Sequence, residues 1–144
     1  MDRLAMLLEE YYIGKVVPNY SLLYSKICQP VSHDDFKSAM LKSLELVDEF
    51  KLERWLMDFT SSNITLEDQR WSVETFGQLV LDSSLKCIAM VRREDMFLEM
   101  AAENMRDKIY DTYGHKQDLE HFDNITDALE WLSPGLTPDK VIPT

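Results

Sequence analysis

Short apolar runs alternate with longer segments of helical periodicity over most of this 144-residue chain, and this alternation restricts the folds it can adopt. Residues 52–59 and 86–91 are strand-like, and the second run, KCIAMV, is continuously apolar, as a strand buried on both faces should be. Apolar residues recur at helical spacing in four segments: residues 31–50, 65–84, 94–113 and 124–132. Strands that alternate with helices in this way predict a mostly parallel sheet with helical crossovers.

Two strand-like segments precede the alternating region. Residues 6–14 and 19–28 are rich in aromatic and branched side chains, and the link KVVPNYS carries turn-forming residues. These segments predict two antiparallel strands joined by a turn. A further short strand is predicted at residues 119–123.

These segments predict one α/β domain over residues 1–133, in the order β-β-α-β-α-β-α-β-α. The sheet is expected to be mixed but mostly parallel, with about five strands and four helices. Residues 134–144 contain three of the five prolines and have no periodicity, so we expect an irregular, loose C-terminal tail.

The charge of the chain argues against two classes of partner. With 15 Lys and Arg against 26 Asp and Glu, the formal net charge is −11, which repels phosphate backbones and anionic lipid surfaces. We therefore expect no nucleic-acid binding. The N-terminal apolar run of about five residues is too short for a signal peptide or a membrane span. We expect a cytoplasmic protein that is not inserted in a membrane.

One device recurs at the start of three predicted helices. Ser32, Thr65 and Asn124 are each followed three residues later by an aspartate. A small polar side chain at the N-cap accepts a hydrogen bond from a free backbone N–H, and the acid faces the positive end of the helix dipole. This pattern gives Thr65 a complete structural explanation as a cap, beside any functional role.

The segment between the strand at 52–59 and the helix at 65–84 is the best-placed candidate site. In open α/β sheets, ligands bind beyond the carboxyl ends of the strands, and a helix N-terminus offers N–H groups to anions. The segment itself contains no cationic residue, and Lys51 and Arg70 only flank it. The candidate regulatory or binding residues are Asp58, Thr60, Ser61, Ser62, Asn63 and Thr65.

Motifs for catalysis and for metal binding are missing from the sequence. There is no HExxH, no GxGxxG, no P-loop and no nucleophile elbow, and His33, His115 and His121 lack metal-ligand spacing. Cys28 and Cys87 form no CxxC pair, and two thiols cannot build a disulfide scaffold. We therefore expect no enzyme, no catalytic residues, no metal and no cofactor.

Several stretches resemble the bacterial SpoIIAA-like proteins, a divergent set within the STAS (sulfate transporter and anti-sigma antagonist) and Sec14-like group. The resemblance covers roughly residues 50–132 and lies in RWLMDF, ITLEDQRW, LKCIAMVRRED and HFDNITDALEWL. It implies a mixed sheet with helices packed against it. The residues that match the family pattern are Trp55, Leu56, Asp58, Trp71, Phe122, Ala128, Trp131 and Leu132.

The resemblance does not extend to the phosphorylated serine motif of the anti-sigma antagonists. In that motif an Asp-Ser-x-Gly-like sequence opens the helix that follows a strand. The corresponding stretch here is DFTSSNIT, which has no glycine after its serines and no Asp directly before them. We do not carry the phosphorylation function over from the family.

Two functions follow as hypotheses. The first is a non-enzymatic regulatory or protein-interaction domain that docks on another protein, with a homodimer as an alternative assembly. A phosphate on Ser61 or Ser62 would modulate docking, because it would add charge at a helix N-terminus. The alternative, suggested by the Sec14-like kinship, is a protein that binds a small hydrophobic, lipid-like ligand. It requires an apolar pocket in place of a filled core.

Overall fold

The computed structural model describes residues 6–8, 10–93 and 99–143, with side chains described for residues 10–93 and 106–143. Within this part of the chain, six strands form one sheet in which neighbours in space follow one another in sequence. The strands are β1 (Met6–Leu8), β2 (Tyr12–Val17), β3 (Leu22–Ile27), β4 (Arg54–Asp58), β5 (Cys87–Val91) and β6 (Asp118–Phe122).

Four helices connect or follow the parallel strands in the described residues. They are α1 (His33–Phe50), α2 (residues 66–81), α3 (Glu99–Tyr113) and α4 (Ile125–Leu132). The helix α2 consists of α-helical Leu66–Trp71, a π-helical turn at Ser72–Phe76 and α-helical Gly77–Leu81. Residues 94–98, predicted to start the third helix, lie outside the described residues. In the described part, no helix has the length and apolar character required to cross a membrane.

The predicted α/β class and mixed sheet are confirmed. Strand β1 pairs antiparallel with β2, and β2 pairs antiparallel with β3. Strands β3, β4, β5 and β6 then run parallel to one another. Because the parallel strands point the same way, the loops that follow β4, β5 and β6 meet at one carboxyl edge of the sheet.

The N-terminal strands divide differently from the prediction. Residues 6–14, expected as one strand, contain β1 and the start of β2, so the described sheet has six strands instead of about five. Residues 15–17, expected as part of the turn, continue β2. A run of aromatic and branched residues favours strand structure throughout, so it does not mark the turn within it.

Both faces of the sheet are buried, each under different helical elements. One face packs with α1, α2 and α3, around residues such as Phe36, Trp55 and Ile88. The other face packs with α4, around Leu56 and Leu129. The successive residues of β4 and β5 alternate between these two cores, which is why both strands are apolar along most of their length.

The C-terminal segment is irregular but packed. Leu136 and Val141 are buried, and they extend the core that lies under α4. A 3-10 turn at Pro138–Lys140 separates them. The expected loose tail is therefore not observed over residues 134–143, because two apolar side chains without periodicity still cover part of the sheet.

Candidate functional site

The predicted candidate residues lie together at the carboxyl edge of the sheet. Asp58 is the last residue of β4, and the β4–α2 loop, residues 59–65, leads to the start of α2. Its inner side is anchored by buried Phe59. The six candidate residues nevertheless differ in exposure and in hydrogen bonding, and they divide into three groups.

The carboxylate of Asp58 is buried and holds the start of the loop. Its Oδ1 accepts hydrogen bonds from the backbone N–H of Thr60 at 3.0 Å and from the Thr60 hydroxyl at 2.6 Å. Its Oδ2 accepts a hydrogen bond from the Tyr24 hydroxyl at 2.8 Å. Burial, and then the charge of Asp58, raise the pKa of Tyr24 well above its ordinary value. Asp58 therefore organises the backbone and the strand end.

The two serines of the loop occupy different environments. Ser62 is buried, its backbone N–H donates to the Phe59 carbonyl at 3.2 Å, and its hydroxyl lies 3.4 Å from the Asn63 carbonyl. Ser61 is half-buried, and Asn63 is exposed. Of the two predicted phosphate acceptors, Ser61 is therefore the more exposed.

Thr65 is the N-cap of α2, as its position in the sequence predicts. Its Oγ1 accepts from the Asp68 N–H at 3.0 Å, and Asp68 Oδ2 accepts from the Thr65 N–H at 2.9 Å. Ser32 and Asn124 cap α1 and α4 through the same bond to an aspartate N–H. Thr65 thus has a structural role, and it is an exposed residue of the loop.

Asp68 also makes a contact that the sequence did not indicate. The carboxylate is buried, and its Oδ1 is hydrogen-bonded to His33 Nδ1 at 2.7 Å. His33 stands at the start of α1, and its ring meets Trp71 edge-on. The starts of α1 and α2 are consequently joined side by side near the β4–α2 loop.

The cation that the loop lacks in sequence is supplied by Arg93, which follows the end of β5. Its Nη1 donates to the Thr60 carbonyl, and its Nη2 donates to Asn63 Oδ1, both at 3.2 Å. The Arg93 side chain is exposed, so the guanidinium covers the loop from the solvent side. The sequence places Arg93 just after a predicted strand, and so at the same carboxyl edge as the loop, but it does not reveal the contact itself.

A second polar cluster continues this edge beyond β5 and β6. Arg92 is buried and pairs with Asp123 at 3.0 Å, while Arg106 of α3 pairs with Glu120 at 2.6 Å. These residues and His121 border a polar cavity of about 270 Å³. The Arg92–Asp123 pair joins the residues that directly follow β5 and β6, and the Arg106–Glu120 pair joins α3 to β6. These pairs hold the neighbouring elements together at this edge of the sheet.

The two cysteines are not prepared as nucleophiles. Both are free and half-buried, and burial raises the pKa of each thiol. The raised pKa keeps both side chains mainly as thiols at neutral pH. The reactive form of cysteine is the thiolate, so neither side chain is activated. Within the part of the chain that the structure describes, no three His, Cys, Asp or Glu side chains converge as a metal-binding group.

The residues that carry the family resemblance are mostly packing residues. Trp55 and Leu56 are fully buried in β4, and Leu132, the last residue of α4, is buried against the sheet. Trp131 is 37% exposed, and its ring lies 5.6 Å from that of Phe122. Comparisons with protein-family models, curated proteins and solved structures gave no match.

Proposed function

We propose that this chain is a non-enzymatic, cytoplasmic protein-interaction domain of STAS-like type that docks a partner protein through the β4–α2 loop and Arg93. The observation that carries the proposal is that the exposed part of this loop is held from both sides. Asp58 fixes Thr60 from within, and Arg93 fixes Thr60 and Asn63 from outside. A loop ordered before binding loses less entropy when a partner docks.

The family assignment is part of this proposal. The mixed sheet with helices on both faces has the architecture that the resemblance implies. Trp55 and Asp58, two of the residues that carry the resemblance, lie on the strand that leads into the loop. Packing residues specify a fold better than an activity, so the functional part rests on the loop itself.

The charge distribution favours a protein partner over nucleic acid. The chain carries a net charge of −11, so a phosphate backbone would be repelled over most of the surface. Arg93 is an exposed cation at the loop, and arginine is enriched among the residues that dominate protein–protein binding. We expect the partner to offer a carboxylate or a carbonyl group to this guanidinium. A second copy of the chain is the alternative partner.

Ser61 is the position at which docking would be regulated. It lies between Thr60 and Asn63, the two residues that Arg93 contacts. A phosphate on Ser61 would add about −1.5 to −2 charges beside the guanidinium, which would compete for its hydrogen bonds. Phosphate on Ser62 would require the loop to open, because that side chain is 1% exposed.

The test compares capture of partner proteins by wild-type and loop-variant chains. Tagged wild type, Ser61→Asp and Arg93→Ala are incubated with native lysate, captured proteins are identified by mass spectrometry, and the affinity of each purified candidate is then measured. We expect one partner to be retained by wild type and weakened at least about tenfold by either substitution, as hot-spot residues are.

Two variants with the same charge changes serve as controls. Thr126→Asp adds a carboxylate at an exposed position of α4, and Lys116→Ala removes an exposed cation that is not part of the loop. Both should bind the partner as wild type does. Equal affinity of wild type, Ser61→Asp and Arg93→Ala for every partner would remove the β4–α2 loop as the docking surface.

A further inference from the structure

An apolar cavity of about 60 Å³ lies between the sheet and the helices on the face covered by α1, α2 and α3. Its walls include Phe36 of α1, Ile88 of β5 and Val80 of α2. Phe59 and Ile64 of the β4–α2 loop also line it, so the cavity lies directly beneath the loop. The polar edge formed by Asp58 and Arg93 is a separate feature.

The local structure of α2 favours an open space here. The π-helical turn at Ser72–Phe76 shifts the helix register by a residue, and such turns often occur at functional sites. Gly77 follows this turn directly, and because it has no side chain, the Tyr113 ring of α3 can pack closely against it. The Tyr113 hydroxyl donates to the Val73 carbonyl at 2.7 Å, which fixes the ring at the cavity wall.

The size of the cavity limits what it can hold. One water needs about 10–15 Å³ by the measure that gives about 60 Å³ here, so the space corresponds to roughly four to six heavy atoms. A two-chain lipid is far larger. The apolar lining would leave water without partners, whereas a compact hydrocarbon would regain the dispersion contacts that an empty space loses.

One amide at the wall adds a polar requirement. Gln117 lines the cavity, and its Nε2 donates to the Val80 carbonyl at 2.8 Å and to the Leu85 carbonyl at 2.9 Å. Both amide hydrogens are thereby engaged, so the group that Gln117 can offer to a ligand is its carbonyl oxygen, an acceptor. A ligand that satisfies this oxygen carries one hydrogen-bond donor.

We infer that this cavity is a binding site for a compact, branched or cyclic apolar molecule of about four to six heavy atoms that carries a single hydroxyl group. This site goes beyond the proposed docking function, because it uses the interior beneath the loop. The alternative hypothesis from the sequence was a small hydrophobic, lipid-like ligand, and a cavity of about 60 Å³ admits only very small molecules of that kind.

Two isomeric alcohol and ether probes test both parts of the inference. Isobutanol has five heavy atoms and an O–H donor, and isopropyl methyl ether is its isomer without a donor. Each is titrated into the full chain while methyl-group NMR signals of Ile88 and Met90 are followed. We expect saturable shifts with isobutanol and about three- to tenfold weaker binding of the ether. Equal or tighter binding of the ether would overturn the hydroxyl requirement.

Variants of α2 establish whether the probe occupies the cavity. Val80→Phe should fill the space and abolish the saturable shifts. If that variant does not fold, Val80→Leu, a smaller change, takes its place and should weaken binding. Leu79→Phe adds the same ring at a neighbouring position that is 44% exposed, and it should bind as wild type does. Unchanged isobutanol binding in the folded Val80 variants, or no saturable shift in wild type, would overturn the site. Ser61→Asp should leave probe binding intact, so this test and the docking test fail independently.

Discussion

The Tyr24 hydroxyl donates a 2.8 Å hydrogen bond to Asp58 Oδ2, and this bond ties β3 to the last residue of β4. Both side chains are buried, with 2% of Tyr24 and 4% of Asp58 exposed. The other oxygen of the same carboxylate receives the two hydrogen bonds from Thr60. A phenol in the core thus fixes the carboxylate that shapes the β4–α2 loop.

Replacing Tyr24 by phenylalanine should destabilise the fold. Asp58 would stay buried with one donor fewer, and leaving a buried acceptor unsatisfied costs about 1–3 kcal/mol. The free energy of unfolding is measured in urea for wild type, Tyr24→Phe and the control Tyr20→Phe. Tyr20 is half-buried and packs against the same core. A loss in Tyr24→Phe no larger than in the control would show that the hydrogen bond has no structural weight.

The stability of the chain should also fall at alkaline pH in a way that depends on Tyr24. Burial, followed by the charge and hydrogen bond of Asp58, raises the pKa of Tyr24 above 10.0, the value expected in the unfolded chain. Above pH 10 the unfolded state loses the phenolic proton while the folded state keeps it, so the free energy of unfolding falls as pH rises. Below pH 10 this contribution is fully present.

The measurement is the urea midpoint between about pH 8 and 11, which brackets the ordinary tyrosine pKa. Tyr24→Phe should show a shallower decline than wild type, because the remaining tyrosines contribute equally to both. Parallel curves for the two proteins would mean that Tyr24 ionises at its ordinary pKa in the folded state.

The parts of the site that depend on local sequence could be predicted, and the parts that depend on topology could not. The caps at Ser32, Thr65 and Asn124 each use a backbone N–H three residues further on, so a short window of sequence contains both partners. The contact from Arg93 to Asn63 spans 30 residues, and it exists because β4 and β5 are parallel neighbours. Sequence gives the order of strands more readily than the side chains that meet at their ends.

Burial was harder to predict than secondary structure. Trp131, a large apolar residue, is 37% exposed, whereas Ser62 in a polar loop is 1% exposed. A polar side chain prefers solvent, but a turn can place one of its residues in the interior while the backbone of the turn remains hydrogen-bonded. Leu136 and Val141 show the same effect, since they are buried in an irregular segment where no period reveals an apolar face.

Ser61→Asp and Ser62→Asp should differ in stability. An aspartate at half-buried Ser61 reaches solvent, and the change in unfolding free energy should stay within about 0.5 kcal/mol, as for a surface substitution. An aspartate at Ser62 would bury a charge, at a cost of about 2 kcal/mol or more. Thermal and urea unfolding of both variants decide this, with Ser62→Ala as the control for loss of the hydroxyl. Equal stability of the two aspartate variants would contradict the burial of Ser62.

Thr65→Ala should cost about 0.5–2 kcal/mol, the range for loss of an N-cap side chain. The substitution removes the acceptor for the Asp68 N–H, although the Asp68 carboxylate keeps its bonds to the Thr65 N–H and to His33. Thr112→Ala at an exposed position of α3 is the control, because it makes the same chemical change within a helix, where alanine is favoured. Urea unfolding should show a loss for Thr65→Ala alone. If Thr65→Ala leaves the free energy of unfolding unchanged, the bonds of the Asp68 carboxylate to the Thr65 N–H and to His33 are sufficient to stabilise the start of α2.

Gly77→Ala should destabilise the chain even though alanine is the better helix former. A Cβ at Gly77 would lie 2.7 Å from Cε2 of Tyr113, and the ring is held by its hydrogen bond to the Val73 carbonyl. The ring must break that bond to withdraw, so we expect a loss of about 1–3 kcal/mol, as in other overpacked cores. The double variant Gly77→Ala with Tyr113→Leu lacks the obstructing ring. Its loss of unfolding free energy should therefore be smaller than the sum of the losses in the two single variants. If Gly77→Ala instead raises the free energy of unfolding by about 1 kcal/mol, helix propensity alone determines the effect of the substitution. Tyr113 of α3 would then not pack closely against Gly77 of α2.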